Sequence, residues 1–321
     1  MDAINISEHD VFFLSFQLIL SNLRGAILLV NKDNQIEFIN EAFCEMFDLK
    51  ESPGELLGLS SSKILEKIGN CYTDLSFSLA RIEELVSNNV AVHGEEVILK
   101  SGRTSIRDFT PIIINGEGYG RLWVHQDITE RKQMEEQIRQ LAFFDALTSL
   151  PNRRLLNDRL GRAIAANKRS GSNGALMFLD LDNFKPLNDT YGHGVGDLLL
   201  IEVAERLKRC IRGMDTVARL GGDEFVVMLH ELKSNAEETA LQASVVAEKI
   251  RISLSDPYRL TIRHDESEVT KVEHHCTTSI GVVIFNGHEG GQEEILKRAD
   301  AAMYQAKEAG RNQVLFYEKR S

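Results

Sequence analysis

Gly221-Gly222-Asp223-Glu224-Phe225, set between the apolar runs Val217–Leu220 and Val226–Leu229, reads as the tip of a β-hairpin. Glycine lets the backbone turn and approach a ligand without a Cβ in the way. Adjacent carboxylates at a strand end attract divalent cations. Taken alone, the five residues also describe an ordinary polar turn, so their companions decide.

The first companion is ALMFLDLDNF, residues 175–184, a buried-looking strand on which Leu176, Phe178, Asp180 and Asp182 alternate onto one face. A carboxylate thus replaces an apolar residue near the strand's end, where it needs a counter-charge. A divalent cation shared by Asp180 and Asp223 would supply one, with triphosphate oxygens completing its shell. Helices are predicted over about 153–168, 195–211, 237–254 and 293–309, the last stopped by Gly310. They alternate with the strands CTTSIGVVIF and QVLFY around the hairpin, a pattern that predicts a central sheet with helices on its faces.

The 321 residues are enough for two domains, each with its own core. A formal net charge of −11 argues against a broad electrostatic footprint for nucleic acid or an anionic membrane, so an anionic substrate must be held by local Lys, Arg and metal. Cys44, Cys71, Cys210 and Cys276 form no C-x-x-C pair and are expected as reduced thiols in a cytoplasmic protein. Val11–Leu20 is apolar but interrupted too early to span a bilayer, and it is expected to be part of a packed N-terminal helix over 1–24.

Residues 25–128 read as two strands, short helices and a three-strand meander, EEVILK, TSIRDFTPIII and YGRLWVHQDI. This order, closed by Asp127-Ile128-Thr129-Glu130-Arg131, resembles a PAS sensor domain leading into a signalling helix. Over the linker 129–144, Met134, Ile138 and Leu141 fall at helical spacing, which suits either a parallel helix pair between two chains or a helix lying on its own domain. Trp123 and His125 share one strand face; they are expected to pack against the signalling helix, with ligand contact as the alternative. Gly69-Asn70-Cys71-Tyr72 matches the cysteine segment of flavin-binding PAS domains only at Asn-Cys, and the sensor's ligand stays unknown.

From Asp145 to the C-terminus the blocks Asp145-Ala-Leu-Thr-Ser-Leu-Pro-Asn-Arg153, Asp180-Leu-Asp-Asn-Phe-Lys185, Asn188-Asp-Thr-Tyr-Gly-His193, Asp197, Gly221–Phe225 and Tyr304-Gln-Ala-Lys307-Glu-Ala-Gly-Arg311-Asn312 stand in one order. That order and spacing resemble the GGDEF family of diguanylate cyclases, which condense two GTP into cyclic di-GMP and two pyrophosphates. The resemblance implies a nucleotidyl-cyclase-like domain over 145–321, Mg²⁺ or Mn²⁺ held two per GTP by Asp180, Asp223 and the Leu181 carbonyl, and Asp223, Glu224 and Lys185 as the catalytic set. Either Asp223 or Glu224 would deprotonate the ribose 3′-OH. It implies Lys307 and Arg311 on the triphosphate, and Asn188, His193 and Asp197 on the rest of the nucleotide, with His193 equally read as a residue that only shapes its turn. Arg212 and Asp215 match the family's R-x-x-D site for feedback binding of the product.

An aspartate at 197 suits guanine, whose N1–H and 2-amino group both donate, whereas adenine would leave the carboxylate unpaired. Because the product has two phosphodiester links and each chain one ligand set, a homodimer is implied. The competing reading is a catalytically silent domain that serves as a GTP or cyclic di-GMP receptor or as a dimerisation scaffold; it predicts decay at Asp180, Asp223, Glu224 or Lys185, and all four are intact. His264, His274, His275 and Cys276 sit in an apparent extended hairpin, 258–279, and are read as its residues rather than as a zinc site.

Overall fold

The computed structural model describes residues 15, 18–232, 235–263, 269–288 and 290–318. His264 and most of the expected N-terminal helix lie outside them. The chain divides into two compact units, Met1–Glu136 and Gln137–Ser321, the division falling inside one helix.

In the first unit the described elements run β1 (Ala26–Asn31), β2 (Ile36–Ile39), α1 (Glu41–Met46), α2 (Pro53–Leu56), α3 (Ser61–Ile68), α4 (Leu75–Asn88), β3 (Val92–Ile98), β4 (Thr104–Ile114) and β5 (Glu117–Asp127). The strands form one antiparallel sheet in the order β2-β1-β5-β4-β3. Helix starts are set by side chains that occupy otherwise unpaired N–H groups: Asn40 accepts from Phe43 N at 3.1 Å and Asp74 from Phe77 N at 3.0 Å. Phe43, Phe47, Ile64, Tyr72, Phe109 and Trp123 fill the core between sheet and helices. Trp123 and His125 therefore do not pack against the following helix as expected. Their strand face is the one the four helices cover, and both are buried against a cavity there.

Helix α5 (Thr129–Phe143) follows, with no buried residue; Met134, Ile138 and Leu141 are exposed. The second unit continues with α6 (Arg153–Ser170), β6 (Asn173–Asp182), α7 (Phe184–Tyr191), α8 (His193–Cys210), β7 (Thr216–Gly221), β8 (Glu224–Leu232), α9 (Ala236–Ser255), β9 (Tyr258–Arg263), β10 (Val269–His274), β11 (Thr277–Phe285), α10 (Gln292–Glu308) and β12 (Val314–Phe316). Its sheet runs β12-β11-β6-β8-β7, antiparallel except for the β11–β12 pair, while β9 and β10 make a separate hairpin.

Strand β6 is buried along its whole length, which is what its near-continuous apolar run predicts for a central strand. Ala175, Met177, Leu179 and Leu181 face a core shared with Leu187 of α7, Leu199 and Val203 of α8, and Ala247 and Ile250 of α9. Leu176 and Phe178 face the other way, onto Leu160 of α6 and Ile295, Ala299 and Met303 of α10. Asp180 and Asp182 continue this second face at the strand's C-terminal end. Outermost in the sheet, β7 meets the segment before α6: Arg219 N donates to Pro151 O at 3.0 Å.

Candidate active site

The β7–β8 tip uses both of its glycines. Gly221 and Gly222 have φ of 147° and 51°, a left-handed path that a side chain would strain. Arg219 then fixes the turn from behind, with Nε and Nη2 donating to Gly222 O at 3.0 and 2.8 Å and Nη1 to Asp145 Oδ1 at 2.9 Å. Asp145 also accepts from Thr148 N and Oγ1 at 2.9 and 2.6 Å. Burial opposes ionisation of this carboxyl, but the Thr148 and Arg219 donors outweigh it and hold Asp145 below its ordinary range.

Asp223 is thereby presented to a cleft of about 250 Å³ whose lining includes Asp180, Leu181, Lys185, Lys307 and Arg311. Asp180 sits directly across from Glu224 in the β6–β8 register. Burial pushes Asp180 up to about 6; the Lys307 ammonium, 2.6 Å from Oδ1, pulls the other way, and Asp223 adds repulsion. Leu181 buries its side chain in the opposite core, so what it can offer the cleft is backbone. Lys185 reaches the cleft from the first turn of α7, after Asn183 has turned the chain at φ 61°. Arg311, at φ 64°, projects from the turn that ends α10.

These groups fit a small hard cation. Asp180, Asp223 and Leu181 line one cleft, where the protein's own Lys307 supplies the positive charge. Among the described residues no cluster of three or more acid, His or Cys ligands exists, so the remaining shell would be phosphate oxygens and water, as magnesium commonly takes.

The residues expected on the nucleotide lie at the α7–α8 corner. His193 and Asp197 stand four apart on α8, both exposed, and Asn188 lies on the last turn of α7. Asn188 Oδ1 is buried without a hydrogen-bond partner among the described residues, an acceptor left open. Three expected residues lie elsewhere. Glu224 lines an adjoining cleft, 4.0 Å from Arg153. Arg212 and Asp215 line a separate cleft of about 460 Å³ at the far end of β7, where Asp215 accepts from Arg212 N at 3.0 Å and His230 N at 3.1 Å.

Three positions that sequence reading passed over organise the site. Arg219 breaks the apolar run of β7, which was the available signal. Asp182 accepts from Thr277 Oγ1, Ser279 Oγ and Asn312 N at 2.7, 2.8 and 3.1 Å, pinning the Arg311 turn to β6. Gly196 lies inside α8, where a glycine is otherwise a poor helix former; a Cβ there would stand 1.9 Å from Asn188 Oδ1.

Residues 142–313 match the family model for the diguanylate cyclase GGDEF domain, and residues 24–130 match a PAS domain. The chain is 45% identical over 190 residues to the bifunctional diguanylate cyclase/cyclic di-GMP phosphodiesterase MucR of Pseudomonas aeruginosa, covering 59% of this chain and 26% of that protein. It is 38% identical over 187 residues to the cyclic di-GMP phosphodiesterase PdeR of Escherichia coli, covering 58% and 26%. The chain thus spans about a quarter of the length of these relatives. Among solved structures, the coiled coil and GGDEF domain of DgcB from Caulobacter crescentus, in complex with c-di-GMP, is 32% identical with a TM-score of 0.51, over 59% of this chain and 93% of that one.

Proposed function

The chain belongs to the GGDEF family of diguanylate cyclase domains, and on that footing we propose that it condenses two GTP into cyclic di-GMP with release of two pyrophosphates. The observation that carries this is the meeting of Asp180, Asp223, Lys185, Lys307 and Arg311 along one cleft. When bound, Mg²⁺ or Mn²⁺, two per GTP, would neutralise the phosphates and polarise the phosphorus under attack. Asp180, Asp223 and the Leu181 carbonyl would hold it.

Lys185, Lys307 and Arg311 hold the triphosphate in line, the main demand of phosphoryl transfer. Lys307 exchanges Asp180 for a phosphate oxygen as substrate enters. Asn188 and Asp197 read guanine, while His193 flanks them at the start of α8. Asp223 accepts the ribose 3′-OH proton, a role favoured over Glu224 because Asp223 lines the cleft itself.

One chain presents one GTP, so a second copy completes the reaction. The exposed Met134, Ile138 and Leu141 stripe offers a face for pairing two α5 helices. The PAS unit, proposed as a sensor over 25–128, would set how often the half-sites meet, and Arg212 with Asp215 would bind product as a brake. All four cysteines are free, which suits a reducing cytoplasm; no described helix is long and apolar enough to cross a membrane.

The test is incubation of the purified chain with GTP, and separately ATP, in Mg²⁺ or Mn²⁺, with products identified by mass spectrometry. Cyclic di-GMP is expected from GTP, reduced at least ~100-fold in Asp223→Ala. Retained GTP binding without product from the wild-type chain would favour the receptor reading, and equal use of ATP would remove Asp197 as the guanine reader.

A further inference from the structure

The first unit encloses a cavity of about 280 Å³ between its sheet and α3–α4, walled mainly by Val30, Ile64, Ile68, Ile82 and Trp123. Three charged groups, Glu83, Arg107 and Arg121, interrupt this apolar lining, and Arg107 is the most buried of them. Arg107, on β4, is 3% exposed. Its Nε and Nη2 donate to Glu95 Oε2 at 3.0 and 2.6 Å, while Nη1 is buried with no hydrogen-bond partner among the described residues.

Glu95 cannot balance this charge alone, because its Oε1 also accepts from Arg81 Nε at 2.7 Å. Glu84, on the exposed side, is Arg81's second partner, so these two guanidiniums face two carboxylates; Arg121, on the same lining, has only neutral partners among the described residues, donating to Asn34 Oδ1 at 2.8 Å and Ser61 Oγ at 3.1 Å. A buried charged donor left unpaired is costly and calls for an acceptor. Burial drives His125 down to about 3, so the imidazole stays neutral and adds no charge. The mainly apolar walls would reject a fully polar molecule such as phosphate.

We propose that this cavity binds an amphipathic monocarboxylate, its carboxylate on Arg107 Nη1 and its hydrocarbon or aromatic body against Trp123 and the α3–α4 wall. The space exceeds the roughly 150 Å³ apolar cavity known to take benzene, so a body on the order of six to ten carbons fits. The inference deepens the sensor part of the proposed function and is independent of the cyclase part.

Trp123 is the chain's only tryptophan and reports occupancy directly. The intact chain is titrated with straight-chain carboxylates of six to ten carbons and phenylacetate, with the matching alcohols, and with acetate, following fluorescence. At least one acid should give a saturable change, with its matching alcohol and acetate at least tenfold weaker. Arg107→Gln, checked for folding by circular dichroism, should erase the preference for acid over alcohol while leaving the alcohol's affinity unchanged. No saturable response to any acid, an alcohol that binds as well as its acid, or a preference that survives in a folded Arg107→Gln protein would each overturn the proposal. Should that variant not fold, the acid-to-alcohol ratio of the wild-type chain decides alone. Cyclic di-GMP synthesis, read separately by mass spectrometry, keeps a failure of this binding distinguishable from a failure of the cyclase reading.

Discussion

His125 shows how much one side chain's surroundings decide. Fully buried beside Arg107, it refuses a proton until about pH 3, whereas in the unfolded chain it accepts one near 6.5. Between those values the unfolded state binds more protons, so stability rises with pH across the window and is lost as pH falls below 6.5. This group alone should cost the first unit about 2 kcal/mol between pH 7 and pH 5. Urea unfolding followed by Trp123 fluorescence should show that loss in the wild type and a smaller one in His125→Gln; parallel pH slopes would refute the assignment. Nothing local to Trp-Val-His-Gln reveals such burial, since alternation fixes only that Trp123 and His125 share a face. Which face the helices cover is settled by pairing with strands far away in sequence. Asp180 and Asp223 were legible because acids ending apolar strands are conspicuous. Arg219 and Asp182 were not, because their partners Asp145 and Asn312 lie 74 and 130 residues away.

Elements were legible where periodicity was long. The four predicted helices of the second unit match α6, α8, α9 and α10 to within about two residues at either end. Helix α7 escaped, since eight residues containing Pro186 carry little periodic signal, and its start depends on a left-handed Asn183. Sheet order was likewise invisible, being set by packing and not by the strands themselves. The seating of α10 on β11 gives a test. At Gly281 a Cβ would lie 2.1 Å from both Ala299 O and Met303 N, so the helix carrying Lys307 can lie this close only over glycine. Gly281→Ala should destabilise the second unit by about 2–3 kcal/mol and weaken GTP binding, read by thermal unfolding and calorimetry. Gly194→Ala in α8, where a Cβ meets nothing within 4 Å, should be neutral or slightly stabilising. Equal effects from the two changes would show that the close approach does not matter.

For the whole molecule, a length of 321 residues leaves room for two domains, and the chain divides into two compact units. The net charge of −11 makes the cleft cations more telling, because Lys185, Lys307 and Arg311 gather in a chain that is acidic overall. The outermost strand of the second unit's sheet has a consequence of a different kind. An uncovered β7 would be a row of free donors and acceptors, a template on which another chain could add itself and begin to aggregate. The turn Asp145–Pro151 lies along it, bonded through Pro151 O to Arg219 N and braced by the Asp145 N to Leu150 O bond at 2.7 Å. A fragment beginning at Gln137 keeps that cover and should remain dispersed in light scattering, whereas one beginning at Arg153 should self-associate even though every cleft residue is retained. Equal dispersity of the two would show that β7 needs no cover. The stretch ahead of α6 thus acts as a selvedge, the finished border that keeps a woven sheet from catching on its neighbours.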